Sequence, residues 1–110
     1  MTAPASARRV LIVDDERDIR TTLHAVFGSA GYECRMAGDG REAARLFETE
    51  RSPLTITDLK MPIMDGLQLL QHLKARDADA AVIMLTGAND VRIAVESLKQ
   101  GASGSLPMGL

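Results

Sequence analysis

Cysteine is almost absent from this chain, since Cys34 is its only one. A lone cysteine excludes an internal disulfide framework and a zinc site built from cysteines, and it is typical of a reducing cytoplasm. Long apolar runs are missing as well: no stretch approaches the roughly 20 apolar residues of a membrane-spanning helix, and residues 1–7 lack the hydrophobic core of a signal peptide. We therefore expect a cytoplasmic protein without a membrane span.

The chain also has no strong excess of positive or negative charge. The chain has 13 lysines and arginines against 15 aspartates and glutamates, a net charge of −2, which gives no reason to expect direct binding to nucleic acid or to an anionic membrane. Its 110 residues, 45% of them apolar and 25% charged, have an ordinary globular composition and suggest one domain spanning residues 1–110.

The chain contains an alternation of short apolar runs and amphipathic segments. Strands are predicted over residues 8–13, 32–37, 54–57 and 80–85, with a weak fifth strand over 102–106. The second strand alternates polar and apolar residues, so we expect it at an exposed edge of the sheet. Because each parallel pair of strands needs a helical crossover, the alternation βαβαβαβαβ is typical of a doubly wound α/β sheet.

Four helices are predicted between these strands from apolar residues at three- and four-residue spacing. Asp39 and Glu42 form a plausible capping pair for the second helix, the third covers about residues 66–76, and Asn89 is a good N-cap for the fourth. The residues expected to face inward are, in helix order, Ile19, Leu23, Val26, Phe27 and Ala30; Ala43, Leu46 and Phe47; Leu67, Leu70 and Leu73; and Val91, Ala94, Val95 and Leu98.

Three carboxylates directly follow two of the predicted strands. Asp14 and Asp15 come after the first strand, and Asp58 follows the third. Open parallel sheets bind ligands at the carboxyl ends of their strands, and three carboxylates within a few Å repel each other unless protons or a cation intervene. The cluster therefore implies a hard divalent cation, most simply Mg²⁺.

Each of these acids also has a structural interpretation. Asp14 and Asp15 could cap the first helix, where a carboxylate is favoured by the helix dipole. Asp58 alone could be an ordinary turn residue at the end of a strand, and Asp65 is interpreted as a helix start. Thr86 could simply satisfy backbone donors in its own loop.

Four motifs in register resemble the receiver domains of bacterial two-component response regulators over residues 8–101. They are Asp14-Asp15 after the first strand, residues 57–62 with 64–66 after the third, Thr86-Gly87 after the fourth, and Gly101-Ala102 before the fifth. The resemblance implies a flavodoxin-like, doubly wound, five-stranded parallel sheet in the order 2-1-3-4-5. It also implies that Asp58 accepts a phosphoryl group from a histidine kinase.

The resemblance assigns a role to each site residue. Asp58 would be the nucleophile, because a carboxylate can attack a phosphoryl donor in line when charge on the transferred oxygens is neutralised. Asp15 would bind Mg²⁺ directly, Asp14 mostly through water, and Lys60 through its backbone carbonyl, while Thr86 would hydrogen-bond a phosphate oxygen and move toward it. The chain would at most catalyse its own phosphorylation and dephosphorylation.

The last ten residues depart from the family pattern. Met108 stands where receivers usually carry a lysine and Ser105 where they carry an aromatic switch residue; no lysine follows Lys99 and no aromatic residue follows Phe47. The chain also ends before the family's final helix, so we expect a receiver that is truncated or atypical after about residue 101. Its uncovered sheet face, or helix four with strand five, would be a surface for a homodimer.

Two functions remain open from the sequence. The first is a phospho-accepting receiver that uses Mg²⁺, takes its phosphoryl group from a histidine kinase, and signals to an output domain or partner protein, with switching impaired by the missing lysine and aromatic residue. The second is a pseudo-receiver that keeps the acidic pocket and acts as a docking or dimerisation module independently of phosphorylation. Asp14, Asp15, Asp58 and Thr86 favour the first, and Ser105 and Met108 favour the second.

Overall fold

The computed structural model describes residues 8–86 and 104–107. Within these residues the chain alternates strands and helices as predicted as far as the fourth strand, and the predicted fourth helix lies outside them. The elements are β1 (Arg9–Val13), α1 (Arg17–Ser29), β2 (Glu33–Ala37), α2 (Gly40–Thr49), β3 (Leu54–Asp58), α3 (Gly66–Arg76), β4 (Ala81–Thr86) and β5 (Gly104–Pro107).

All strand pairs in the described sheet are parallel, and the strand order is β2-β1-β3-β4-β5. The predicted flavodoxin-like order is therefore confirmed. Val13, at the end of β1, is level with Ala37 on β2 and with Thr57 on β3. This register brings the ends of β1 and β3 to the same edge of the sheet, which positions the residues that follow them.

The two faces of β1 enter two different cores, because successive strand residues point to opposite sides. Leu11 and Val13 pack with α2 and α3 in the larger core. Val10 and Ile12 form the smaller core on the α1 side, with the buried Ile56 and Leu85 and the partly buried Ile19, Leu23 and Phe27. β1, which has apolar residues on both faces, is thus a buried interior strand between β2 and β3.

The apolar stripe of α1 is narrower than predicted. Ile19, Leu23 and Phe27 pack against the sheet, but Val26 is 58% exposed and Ala30 is also exposed. The three packed residues are spaced by four, so the contact follows one row along the helix. Val26 lies about 100° around the helix from Phe27, which turns its side chain away from the sheet.

The predicted helix starts at α2 and α3 are confirmed. Asp39 caps α2 by accepting a hydrogen bond from the backbone N–H of Glu42 at 2.8 Å. Asp65 caps α3 through a reciprocal capping box with Gln68, as expected for a structural residue. On α3 the fully buried leucines are Leu69, Leu70 and Leu73, while the predicted Leu67 is only partly buried.

The exposed edge of β2 carries a set of ion pairs. Glu33 lies 3.5 Å from Arg9 and 3.3 Å from Arg35, and Arg35 also contacts Glu50 at 2.8 Å. Charged side chains on an edge strand hinder pairing with another chain. The sequence prediction of a half-exposed edge strand is confirmed.

No helix in the described ranges is long and apolar enough to cross a membrane.

Candidate functional site

Three carboxylates meet where β1 and β3 end. Asp14 and Asp15 follow β1, Asp58 is the last residue of β3, and the two strands are neighbours. One ligand oxygen from each carboxylate lies within 4.8 Å of those of the other two. Asp14 is buried, Asp58 is half-buried and Asp15 is exposed, so the cluster extends from the protein interior to solvent. The convergence expected from the sequence is present.

Asp14 is the innermost of the three carboxylates. The backbone N–H of Glu16 donates to its Oδ1 at 2.8 Å, whereas its Oδ2 is buried and has no hydrogen-bond partner. The pKa of Asp14 is raised from 3.8 to about 6, mainly by burial; the Glu16 hydrogen bond lowers it, and the charges of Asp58, Asp15 and Glu16 add to the rise. An unpaired buried oxygen beside two more carboxylates is a position for a cation or a proton.

Asp58 is held by its own loop. Burial raises its pKa, the backbone N–H groups of Lys60 and Leu59 lower it through hydrogen bonds, and the charges of Asp15 and Glu16 raise it again. Two backbone donors on one carboxylate fix its orientation. Asp58 thus presents an oriented carboxylate at the rim of the acidic cluster.

The donor set fits Mg²⁺. Carboxylate oxygens are the hard ligands that this ion binds, and the described cluster contains only oxygen donors. The unpaired Asp14 Oδ2 would gain a partner, and a divalent cation would offset the burial and the like-charge repulsion that raise the pKa values of Asp14 and Asp58. The residues present therefore suit the ion that the sequence implies.

The loop between β3 and α3 is packed tightly beside the cluster. A Cβ added at Gly66 would collide with the backbone carbonyl oxygen of Asp58, and one added at Gly40 would lie 2.5 Å from the carbonyl oxygen of Met64. Ile63 adopts a φ of 72°, and the N–H of Met64 bonds the carbonyl of Pro62 across it at 2.8 Å. The start of α3 is thereby pressed against the strand end that carries Asp58.

A cleft of about 430 Å³ opens on the outside of this loop. It is lined by Asp15, Leu59, Lys60, Met61, Pro62, Asp65 and Leu67. Because Asp15 belongs both to the cleft and to the acidic cluster, the cleft gives solvent a route to the carboxylates.

Two further predicted residues lie near the cluster. Lys60 is an exposed loop residue whose backbone N–H bonds Asp58; the role predicted for its carbonyl stays a prediction. Thr86 ends β4, one residue beyond Leu85, which is level with Asp58 on the neighbouring strand. The hydrogen bond predicted for Thr86 stays a prediction. Ser105 lies on β5, level with Met84, and Met108 lies outside the described residues.

Sequence reasoning did not find Arg20. One guanidinium nitrogen of this α1 residue donates to the backbone carbonyl of Asp14 at 2.6 Å. The periodicity of α1 places Arg20 on the polar side, which is the pattern of an ordinary solvated arginine. Its position six residues after Asp14 was the only available signal, and a contact to a backbone carbonyl leaves no mark on the sequence of its partner.

Comparison with known proteins identifies the family. The family model described as "Response regulator receiver domain" matches residues 10–107. The chain is 36% identical over 94 residues to sporulation initiation phosphotransferase F of Bacillus subtilis, covering 86% of this chain and 76% of that protein. It is 37% identical over 94 residues to the regulatory protein AtoC of Escherichia coli, covering 86% of this chain and 20% of AtoC.

A solved structure agrees with these relatives. The CheX–CheY–BeF3–Mg complex from Borrelia burgdorferi contains a chain that matches with a TM-score of 0.86 and 30% identity, covering 93% of this chain and 78% of that one. The chain therefore belongs to the response regulator receiver domains of two-component signalling. It spans less than half of the length of some curated relatives that it matches, such as AtoC.

Proposed function

We propose that this chain is a phospho-accepting receiver domain in which Asp58 takes a phosphoryl group from a histidine kinase in the presence of Mg²⁺. The observation that carries the proposal is the convergence of three carboxylates, one of which, that of Asp14, has a buried Oδ2 without a hydrogen-bond partner. The name of the Bacillus relative, a phosphotransferase, and the Mg in the Borrelia complex support it. Family membership adds a histidine kinase and an output domain as the partners with which receivers work.

Asp58 would act as the nucleophile. One of its carboxylate oxygens forms a bond to phosphorus while the bond from phosphorus to the phosphohistidine nitrogen breaks, and the leaving imidazole takes up a proton. The backbone N–H groups of Leu59 and Lys60 keep the carboxylate oriented for this attack. When bound, Mg²⁺ would supply positive charge to the phosphoryl oxygens.

The remaining site residues would hold the ion and the product. Asp15 and Asp58 would bind Mg²⁺ through their carboxylates and Asp14 mostly through water, with the backbone carbonyl of Lys60 as a further ligand. Thr86, at the end of β4 beside Asp58, would donate a hydrogen bond to a phosphoryl oxygen. We place the domain in the cytoplasm, where the free thiol of Cys34 would remain reduced.

We expect the conformational change that follows phosphorylation to be impaired more than phosphorylation itself. With Met108 at the lysine position, the phosphoryl oxygens lack a charge-assisted contact of a kind that is worth about 1.5 to 3 kcal/mol. With Ser105 at the aromatic position, the usual route from the phosphate to the outer surface is also missing. The same two departures favour the second candidate, a phosphorylation-independent docking module that would form a homodimer through the predicted helix four with strand five.

Intact mass spectrometry after incubation with acetyl phosphate and Mg²⁺ tests the proposal. We expect one added phosphoryl group, a gain of about 80 Da for an aspartyl phosphate. The gain should disappear in Asp58→Ala and in EDTA. The matched control is Asp79→Ala, which removes an exposed aspartate outside the site and should leave the gain intact.

If the chain acts only as a docking module, it should gain no phosphoryl group in this assay. Folded wild-type protein that gains no mass over hours would overturn the phospho-acceptor proposal. A gain that persists in Asp58→Ala would place the phosphoryl group on another residue, which would also contradict the assignment.

A further inference from the structure

Arg20 links α1 to the turn that carries two of the three carboxylates. Its guanidinium donates to the backbone carbonyl of Asp14 at 2.6 Å, and its own backbone N–H donates to the carbonyl of Glu16 at 3.2 Å. The same residue therefore holds the turn at two points, on either side of Asp15. We propose that Arg20 is a positioning residue that fixes Asp14 and Asp15 for Mg²⁺ binding; this inference rests on the proposed function.

The other bonds of the turn define what Arg20 adds. The N–H of Asp14 donates to the carbonyl of Ala37 on β2 at 3.1 Å, and the Oδ1 of Asp14 accepts from the N–H of Glu16 at 2.8 Å. The backbone N–H, the backbone carbonyl and one carboxylate oxygen of Asp14 are then all engaged. Oδ2 is the carboxylate oxygen of Asp14 that is left without a partner. The bond from Arg20 is thus the last of the three hydrogen bonds that hold Asp14 in place while Oδ2 stays available to the ion.

The orientation of Asp15 depends on the same bond. The carbonyl of Asp14 and the N–H of Asp15 belong to one planar peptide group. Fixing that carbonyl with a charged donor therefore fixes the plane from which Asp15 projects. Asp15 is exposed, and without such a restraint its carboxylate would have to be ordered when the ion binds.

An arginine fits this position better than a lysine. The guanidinium lies against Gly38, where an added Cβ would be in ordinary contact with it at 3.6 Å. A planar guanidinium can lie in the space between the Asp14 turn and the β2–α2 connection while still donating to the carbonyl. A lysine ammonium is a strongly hydrated point charge with a different shape, so it should restore the contact only in part.

Calorimetric titration with Mg²⁺ tests this role in four proteins: wild type, Arg20→Met, Arg20→Lys and Arg17→Met. Arg17 is an exposed arginine at the start of the same helix, so its replacement removes the same charge without removing the bond. Loss of a residue that orients metal ligands typically weakens metal binding by about 10- to 100-fold. We expect a rise in Kd within that range for Arg20→Met, a smaller rise for Arg20→Lys, and Kd within about twofold of wild type for Arg17→Met.

The Mg²⁺ dependence of phosphorylation separates positioning from general destabilisation. For Arg20→Met, the Mg²⁺ concentration giving half-maximal phosphorylation rate should rise in step with Kd, while the rate at saturating Mg²⁺ returns to near the wild-type value. A purely structural role would instead lower thermal stability in EDTA and leave Kd unchanged in the folded protein. Folding is checked by circular dichroism in EDTA.

The outcomes are distinct. An Arg20→Met protein with the same Kd as Arg17→Met overturns the inference. If Arg20→Met does not fold, Arg20→Lys decides: a wild-type Kd overturns the inference and a raised Kd supports it. Wild-type protein that binds no Mg²⁺ would instead overturn the proposed function and, with it, the inference; binding that Arg20 does not influence would leave the proposed function intact.

Discussion

At the scale of single residues, Asp14 is where stability and function oppose each other. It is a fully buried acid whose Oδ2 lacks a partner and whose neighbours Asp15 and Asp58 carry the same charge. Each of these features disfavours the charged carboxylate in the metal-free protein. The same features make the site attractive to a cation, so we expect the residue that binds the ion to destabilise the fold in its absence.

Replacing Asp14 with asparagine should therefore stabilise the metal-free protein. At pH 7, Asp14→Asn should raise the free energy of unfolding by about 1 to 2 kcal/mol, because it removes a buried carboxylate whose pKa is raised to about 6. The gain is limited because the buried asparagine amide would still lack some hydrogen-bond partners. Mg²⁺ binding should be lost. Urea unfolding in EDTA measures the first effect and calorimetric titration the second.

Asp18 provides the matched control. It is an exposed aspartate in the first turn of α1, where a negative charge is favoured by the helix dipole. Asp18→Asn should lower stability by a few tenths of a kcal/mol and keep Mg²⁺ binding. An Asp14→Asn protein less stable than wild type in EDTA would contradict the argument.

At the scale of elements, the contact of α3 with the end of β3 shapes the site. Gly66 begins α3, and no Cβ fits there because the backbone carbonyl of Asp58 occupies the space. Gly66→Ala should lower the free energy of unfolding by about 1 to 3 kcal/mol, as overpacked positions do, and should also reduce the Asp58 phosphorylation rate. Urea denaturation and the mass assay measure the two effects.

A second glycine-to-alanine change should have the opposite effect. Gly28, near the end of α1, has nothing within 4 Å of an added Cβ, so alanine there should stabilise the helix by up to about 1 kcal/mol. Phosphorylation should be unaffected. If both variants lost stability equally, loss of glycine rather than contact with Asp58 would be the cause.

The sequence predicts elements better than it predicts which side of them is buried. Strand ends and helix caps are local signals, so β1, β3 and the Asp39 and Asp65 caps could be predicted from short segments. Val26 could not be predicted as exposed, because its burial depends on the direction in which α1 crosses the sheet. Arg20 was missed for a related reason: its partner is a backbone carbonyl, which every residue has.

At the scale of the whole molecule, the acidic cluster should make stability depend on pH in an unusual direction. The pKa of Asp14 is about 6 in the folded protein against 3.8 without burial, and the pKa of Asp58 is also raised. Between these values the folded protein binds more protons than the unfolded chain, so stability falls as pH rises through this window. The lowered pKa of Glu50, beside Arg35, acts in the opposite direction near its ordinary value of 4.5.

Measuring the free energy of unfolding from pH 5 to pH 8 should reveal the cluster directly. In EDTA, stability should fall between pH 5 and pH 7 and then level off, and Asp14→Asn should flatten that fall while keeping the contribution of Glu50. Mg²⁺ requires deprotonated ligands, so Mg²⁺ at about 100 times its Kd should add about 2.7 kcal/mol at pH 7 and far less at pH 5. A wild-type profile in EDTA that matches Asp14→Asn, or an equal Mg²⁺ effect at both pH values, would mean that the three carboxylates are not coupled as their geometry requires.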